Sequence, residues 1–98
     1  AYQLATAHPY KENTKIEETI RVPGATKMAI RFSRFDTELA YDAVSFYTSD
    51  GTYLGSISGK QTGLVTSPLI HGDTVILKFA SDESLNSYGF DVDGVLYE

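Results

Sequence analysis

The sequence predicts an all-β domain, a two-sheet antiparallel β-sandwich of jelly-roll or Greek-key type. Three observations carry that prediction. Apolar residues alternate with polar ones in short runs, and no stretch shows the 3.6-residue period of a helix. Gly, Pro, Asn, Asp or Ser closes each run. The chain has 98 residues, room for about eight such strands around one modest core. Residues 1–98 therefore read as a single domain without repeat or linker. No signal peptide is visible, so the domain is expected to be an excised module whose address comes from its parent protein.

Each element follows from its own residues. Ala1 to Ala7 is apolar enough for a short edge strand, and Pro9 makes the segment from His8 to Thr14 a polar turn. Ile16, Ile20 and Val22 share one face of the next strand; Glu18 interrupts that face, so the strand is expected to start late. Pro23-Gly24 turns the chain. Met28, Ile30 and Phe32 alternate with Ala29, Arg31 and Ser33, and Phe35 breaks the alternation by one residue, which predicts a bulge. Val44 and Phe46 face one way, with Ala43, Ser45 and Tyr47 on the other side. Asp50-Gly51 is a hairpin turn into the strand from Tyr53 to Ile57. Ser58 to Gly63 reads as a flexible loop, and Leu64 to Ile70 as an edge strand interrupted by Pro68. Beyond the turn at His71-Gly72-Asp73, Val75, Leu77 and Phe79 point inward. Residues 81–89 form a polar loop, and the last strand is expected to bury Phe90, Val92 and Leu96.

Composition removes several functions. Eight basic against thirteen acidic residues give a net charge of -5, so the clustered Lys and Arg that phosphate contacts require are missing. No run approaches the roughly 20 apolar residues that span a bilayer. The absence of cysteine excludes thiol catalysis and thiolate-held zinc or iron–sulfur clusters. No Gly-x-Ser-x-Gly elbow or phosphate-cradling glycine loop is present. His8 and His71, the two histidines, each sit beside a turn breaker. The chain is accordingly read as non-enzymatic.

What stands out is acidic. Asp36, Glu38 and Asp42 crowd the approach to the strand at Ala43, with no Lys or Arg among them. Such carboxylates repel unless something positive intervenes: a metal ion, a distant basic side chain, or water alone. Asp82 and Glu83 form a second acidic cluster in the 81–89 loop. In a sandwich, loops distant in sequence meet at one end. Asp91-Val92-Asp93-Gly94 does not make a calcium-binding EF-hand loop, because Gly89 occupies the first ligand position and the twelfth is missing. Tyr47, Tyr53, Tyr88 and Tyr97 are the freer aromatics, which leaves a carbohydrate-binding module with a structural calcium as the alternative function.

Taken together, Phe35-Asp36-Thr37-Glu38, Tyr41-Asp42-Ala43-Val44, Asp50-Gly51, Phe79-Ala80-Ser81-Asp82-Glu83-Ser84 and Gly89-Phe90 resemble the CUB domain pattern across nearly the whole chain. His8-Pro9-Tyr10 and Pro23-Gly24-Ala25 are similar to CUB-like modules of large exported bacterial proteins; similar modules also occur in some large intracellular eukaryotic ones. The resemblance implies a non-catalytic β-sandwich, outside the cell, that binds a protein partner or positions a neighbouring, for instance peptidase, domain. It also implies one Ca2+, held by the carboxylates of Glu38, Asp42 and Asp82 and by Ser84, with Tyr10, Asp36, Glu83 and Asn86 as possible outer partners. Two features depart from the pattern: the usual cysteines are missing, and the Glu38–Asp42 spacer is shorter than in animal members.

Overall fold

A computed structural model describes residues 4–82 and 87–98 of the chain. Ten strands are present among them: β1 Leu4–Ala5, β2 Lys15–Arg21, β3 Lys27–Asp36, β4 Ala43–Tyr47, β5 Tyr53–Ile57, β6 Lys60–Gln61, β7 Val65–Thr66, β8 Ile70–His71, β9 Thr74–Ala80 and β10 Gly89–Tyr97. They form two antiparallel sheets. One runs β1-β10-β3, with the short β6, β7 and β8 along the other edge of β3; the second runs β2-β9-β4-β5.

The core lies between the sheets, and the alternating residues fill it. Ile30, Phe32, Phe35, Phe90 and Val92 come from one sheet; Ile20, Val44, Phe46, Val75, Leu77 and Phe79 come from the other, and all are buried. Phe32 is central, meeting Phe35, Phe46 and Phe90 edge-on at centroid distances of 5.4, 6.2 and 5.7 Å. In a domain without disulfides, this aromatic packing supplies much of the buried apolar area.

Most expected strands are found, with instructive differences. The bulge expected at Phe35 is real. Arg34 pairs with Asp91 but Phe32 pairs with Val92, so Ser33 is the extra residue and both Phe32 and Phe35 remain inside. A second irregularity was not anticipated. Val92 pairs with Phe32 and Gly94 with Arg31, leaving Asp93 as an extra residue in β10. That slip reverses the faces beyond it: Val95 packs on the core, while Leu96, expected inside, is 47% exposed. β2 does not start late, because Ile16 and Glu18 already pair with Phe79 and Leu77. The loop expected from Ser58 to Gly63 contains β6, and the edge strand expected from Leu64 to Ile70 divides around Pro68 into β7 and β8.

Register also gathers the functional loops. Asp36 pairs with Gly89, Ala43 with Ala80, and Lys15 with Ala80. The end of β3, the starts of β4 and β2, the end of β9 and the start of β10 therefore lie at one end of the sandwich. Among the described residues, the chain that links them, 6–14, 37–42, 81–82 and 87–88, meets there.

Candidate metal centre

A single tight turn joins β3 to β4. The Asp42 and Tyr41 amides both donate to the Glu38 carbonyl, at 3.0 and 3.3 Å, closing one unextended helical turn. Ala40 at its crest takes φ +68, and its amide donates to Ser58 Oγ at 3.0 Å. Thr37 anchors the turn below: its amide donates to the Gly59 carbonyl, and the Gly59 amide donates back to its Oγ1. Glu38 and Asp42 are thereby brought together at opposite ends of the turn.

Asp82 arrives from the far loop, which the first loop holds in place. The Asn13 amide donates to the Asp82 carbonyl at 2.9 Å, and the Ser81 amide to the Thr14 carbonyl at 2.9 Å. Ser81 Oγ accepts from the Thr14 amide and donates to the Lys11 carbonyl, both at 2.8 Å. Carboxylate oxygens of Glu38, Asp42 and Asp82 all lie within 4.8 Å of one another.

Asp42 is the fixed point of the group. It is 0% exposed. Its Oδ2 accepts from the Tyr10 hydroxyl at 2.5 Å and its Oδ1 from the Asp82 amide at 2.8 Å. The same hydroxyl accepts from the Glu38 amide at 3.2 Å. Tyr10, itself buried, thus links the 37–42 turn to the first loop while its ring packs edge-on against Phe79 at 5.1 Å. Burial, then donation to Asp42, pushes its hydroxyl up to about 12. No titration at ordinary pH removes that donor.

Glu38 is left in an unfavourable place. Its Oε1 is buried with no hydrogen-bond partner among the described residues. Desolvation raises its carboxyl above the ordinary value, followed by a hydrogen bond to the Asp82 carboxyl and the charges of Asp82 and Asp42. Two carboxyl groups can hydrogen-bond each other only with a proton between them, and a cation can stand where that proton stands. The donor set is all oxygen, which suits a hard divalent ion and not zinc or copper. The three carboxylates therefore fit the calcium that the sequence pattern implies.

The remaining expected residues divide. Ser84, Glu83 and Asn86 lie outside the described residues. Asp36 stays on β3, paired in register with Gly89 and Lys60, and does not join the acidic group among the described residues. Asp91 and Asp93, excluded above as an EF-hand, are paired: Asp91 with His8 Nε2 at 2.8 Å, Asp93 with Arg31 Nε at 2.8 Å. The tyrosines expected to be freer also divide. Tyr88 has His8 stacked at 3.9 Å and the Arg34 guanidinium 3.7 Å from its ring centre. Two groups that close must occupy opposite faces, so neither face is open to a sugar. Tyr47 carries Lys78 over its ring, whereas Tyr53 and Tyr97 are exposed.

Sequence reasoning missed the supports of the site. Gly89 has φ +103, and a Cβ there would fall 1.9 Å from Thr6 Oγ1. That Oγ1 accepts from the Phe90 amide at 3.1 Å. A glycine directly before an apolar strand was the available signal. Nothing in the sequence distinguishes Thr37 or Ser58 from other loop hydroxyls.

Comparisons with known proteins bear on the family and the fold. Residues 4–93 match the family model described as the CUB domain. The chain is 31% identical over 89 residues to the human E3 ubiquitin-protein ligase HERC2, covering 89% of this chain but 2% of that protein. Among solved structures, the CUB1-EGF-CUB2 domain of human MASP-1/3 matches with a TM-score of 0.77 at 24% identity, over 99% of this chain and 41% of that one. The MASP-1 CUB2 domain bound to Ca2+ matches with a TM-score of 0.71 at 18% identity, over 92% of this chain and 87% of that one. With its two-sheet sandwich, its acidic turn between β3 and β4 and a family match across nearly its whole length, this chain belongs to the CUB domain family.

Proposed function

We propose that this domain is a calcium-stabilised, non-catalytic interaction module, whose ion is held by Glu38, Asp42 and Asp82. One observation carries the reading: three carboxylates converge within 4.8 Å, with a buried Glu38 oxygen that no donor among the described residues satisfies. A structural neighbour that is a Ca2+-bound CUB domain supports it. Ser84, with oxygens around residues 83–86, is proposed to complete the six to eight ligands calcium takes. Tyr10 orients Asp42 from behind.

CUB domains are generally non-catalytic and mediate protein interactions. The partner is proposed to be another protein or a neighbouring domain of the same chain. Three carboxylates and one divalent ion leave one net negative charge, which a Lys or Arg of that partner can meet. An extracellular setting, within a larger exported protein, is the usual one for the family and one where calcium is abundant. The covalent parent decides the setting, since relatives such as HERC2 contain the match within 2% of their length. Of the four tyrosines that the carbohydrate alternative relies on, Tyr88 is stacked by His8 and Arg34 and Tyr47 carries Lys78, which leaves Tyr53 and Tyr97 exposed for it.

Thermal melting in calcium, magnesium and chelator, on the wild-type domain and on Asp82→Ala, tests this. Calcium is expected to raise the wild-type melting temperature by mass action, and the substitution to abolish the rise. Identical melting in all three conditions refutes the reading.

A further inference from the structure

The His8 ring holds two oxygens at once. Its Nδ1 lies 2.8 Å from the Tyr88 carbonyl oxygen and its Nε2 2.8 Å from Asp91 Oδ1. A carbonyl and an ionised carboxylate accept hydrogen bonds and have no hydrogen to give. The other Asp91 oxygen, Oδ2, accepts from the Tyr88 hydroxyl. That bond raises the hydroxyl above the ordinary tyrosine value, so it stays a donor at neutral pH. A neutral imidazole has one N–H and can serve only one of its two oxygens, whereas the imidazolium has two and serves both. Stacking on Tyr88 at 3.9 Å and 9° fixes the ring between them. Among the described residues, the charged or titratable groups around it are Tyr88, Asp91 of β10 and Arg34 of β3. The Arg34 guanidinium lies on the far face of the Tyr88 ring, farther from His8 than the carboxylate is.

We infer that His8 is a proton-operated latch: doubly protonated, it clips the stretch from β1 to Tyr10 onto β10, and as a neutral ring it releases one of its two oxygens. What it fastens is otherwise thinly held. β1 meets β10 at two residue pairs, Leu4 with Val92 and Ala5 with Asp91. Beyond β1, the Thr6 and Tyr10 amides donate to the Phe90 and Ser87 carbonyls at 3.1 and 3.3 Å. Imidazole is the side chain that changes charge between pH 5 and 8. The latch is therefore closed in mild acid and loosens as pH rises. Either neutral tautomer turns a nitrogen lone pair toward an oxygen lone pair, so the loss exceeds one missing hydrogen bond. Opening bares the β10 edge at Asp91 and Val92, which β1 covers, and an uncovered edge is open to pairing with another strand.

Hydrogen exchange of the Thr6 and Tyr10 amides at pH 6 and pH 8 reads the latch. Each rate is divided by its intrinsic value and compared with the Leu77 amide, which lies in the core of β9 and reports global opening. Relative to Leu77, the wild-type domain should lose about threefold or more of its protection at the higher pH. His8→Phe keeps a ring against Tyr88 but has no nitrogen, so protection should be low at both pH values. Asp91→Asn separates a latch from a mere stack. Its carboxamide can accept from the Tyr88 hydroxyl and donate to a neutral Nε2, while Nδ1–H serves the Tyr88 carbonyl. The neutral ring is then satisfied on both sides, and the pH dependence should vanish or reverse. His71→Gln should leave it in place, because His71 pairs with Lys27 at the other end of β3. Equal wild-type protection at the two pH values overturns the latch. So does a wild-type pH dependence surviving in His8→Phe or Asp91→Asn, or one lost in His71→Gln.

Discussion

The Tyr10 hydroxyl donates to Asp42 Oδ2 at 2.5 Å, joining residues 32 positions apart inside the protein. That bond couples the first loop to the turn holding the acidic group, and it does so with both partners buried. Tyr10→Phe should therefore cost more than an average hydrogen bond, since Asp42 Oδ2 would keep its burial and lose its donor. A destabilisation of about 1–3 kcal/mol is expected in chelator. Calcium should recover part of it, because the ion neutralises the same carboxylate. Urea unfolding of both proteins, with and without calcium, measures this.

Stability should depend on pH in a way that calcium reverses. Burial, the Asp82 hydrogen bond and the charges of Asp82 and Asp42 raise the Glu38 carboxyl above its usual 4.5. A raised carboxyl is protonated in the folded state where the unfolded chain has already ionised. The metal-free domain thus holds the associated stability below pH 4.5 and loses it as pH rises through the folded value. The calcium-induced rise in melting temperature should accordingly grow between about pH 4.5 and 7. A rise that stayed constant over that range would contradict the assigned cause.

Gly89→Ala should be severely destabilising without touching a carboxylate. The position has φ +103, and the new Cβ would meet Thr6 Oγ1 at 1.9 Å. Backbone strain and displacement of β1 from β10 together should cost about 2–4 kcal/mol. A melting curve within a degree or two of wild type would show that the crossing of Thr6 over Gly89 is not tight.

Two apolar substitutions, one on β10 and one on β3, test the slip at Asp93. Leu96→Gln should change stability by no more than about 0.5 kcal/mol, since the side chain is exposed. Phe32→Ala, at the centre of the aromatic cluster, should cost about 3–5 kcal/mol. Were Leu96→Gln instead to cost as much as a core truncation, unbroken alternation through β10 would be the better description.

Much of this was legible in the residues because a strand alternates with period two and turns have their own chemistry. Met28-Ile30-Phe32, Val44-Phe46 and Val75-Leu77-Phe79 define their buried faces without help from any distant residue, and Asp50-Gly51 defines its hairpin. The extra residue at Phe35 was visible as a broken alternation. The one at Asp93 was not, because Gly94 carries no side chain to reveal which face it occupies, and Leu96 was misplaced as a result.

The sequence by itself determined a cysteine-free, acidic β-sandwich whose uncompensated carboxylates precede the strand at Ala43. Its motif pattern further singled out Glu38, Asp42 and Asp82 among thirteen acidic residues. Only the tertiary structure decided that these three meet within 4.8 Å while Asp36 stays on β3. It also decided which atoms Tyr10, already implied by the resemblance, joins, and that Leu39 and Tyr41 stand outside. The reason is physical. Alternation and turn propensity act between near neighbours, whereas the meeting of residues 40 positions apart depends on strand register, which the whole sandwich fixes at once.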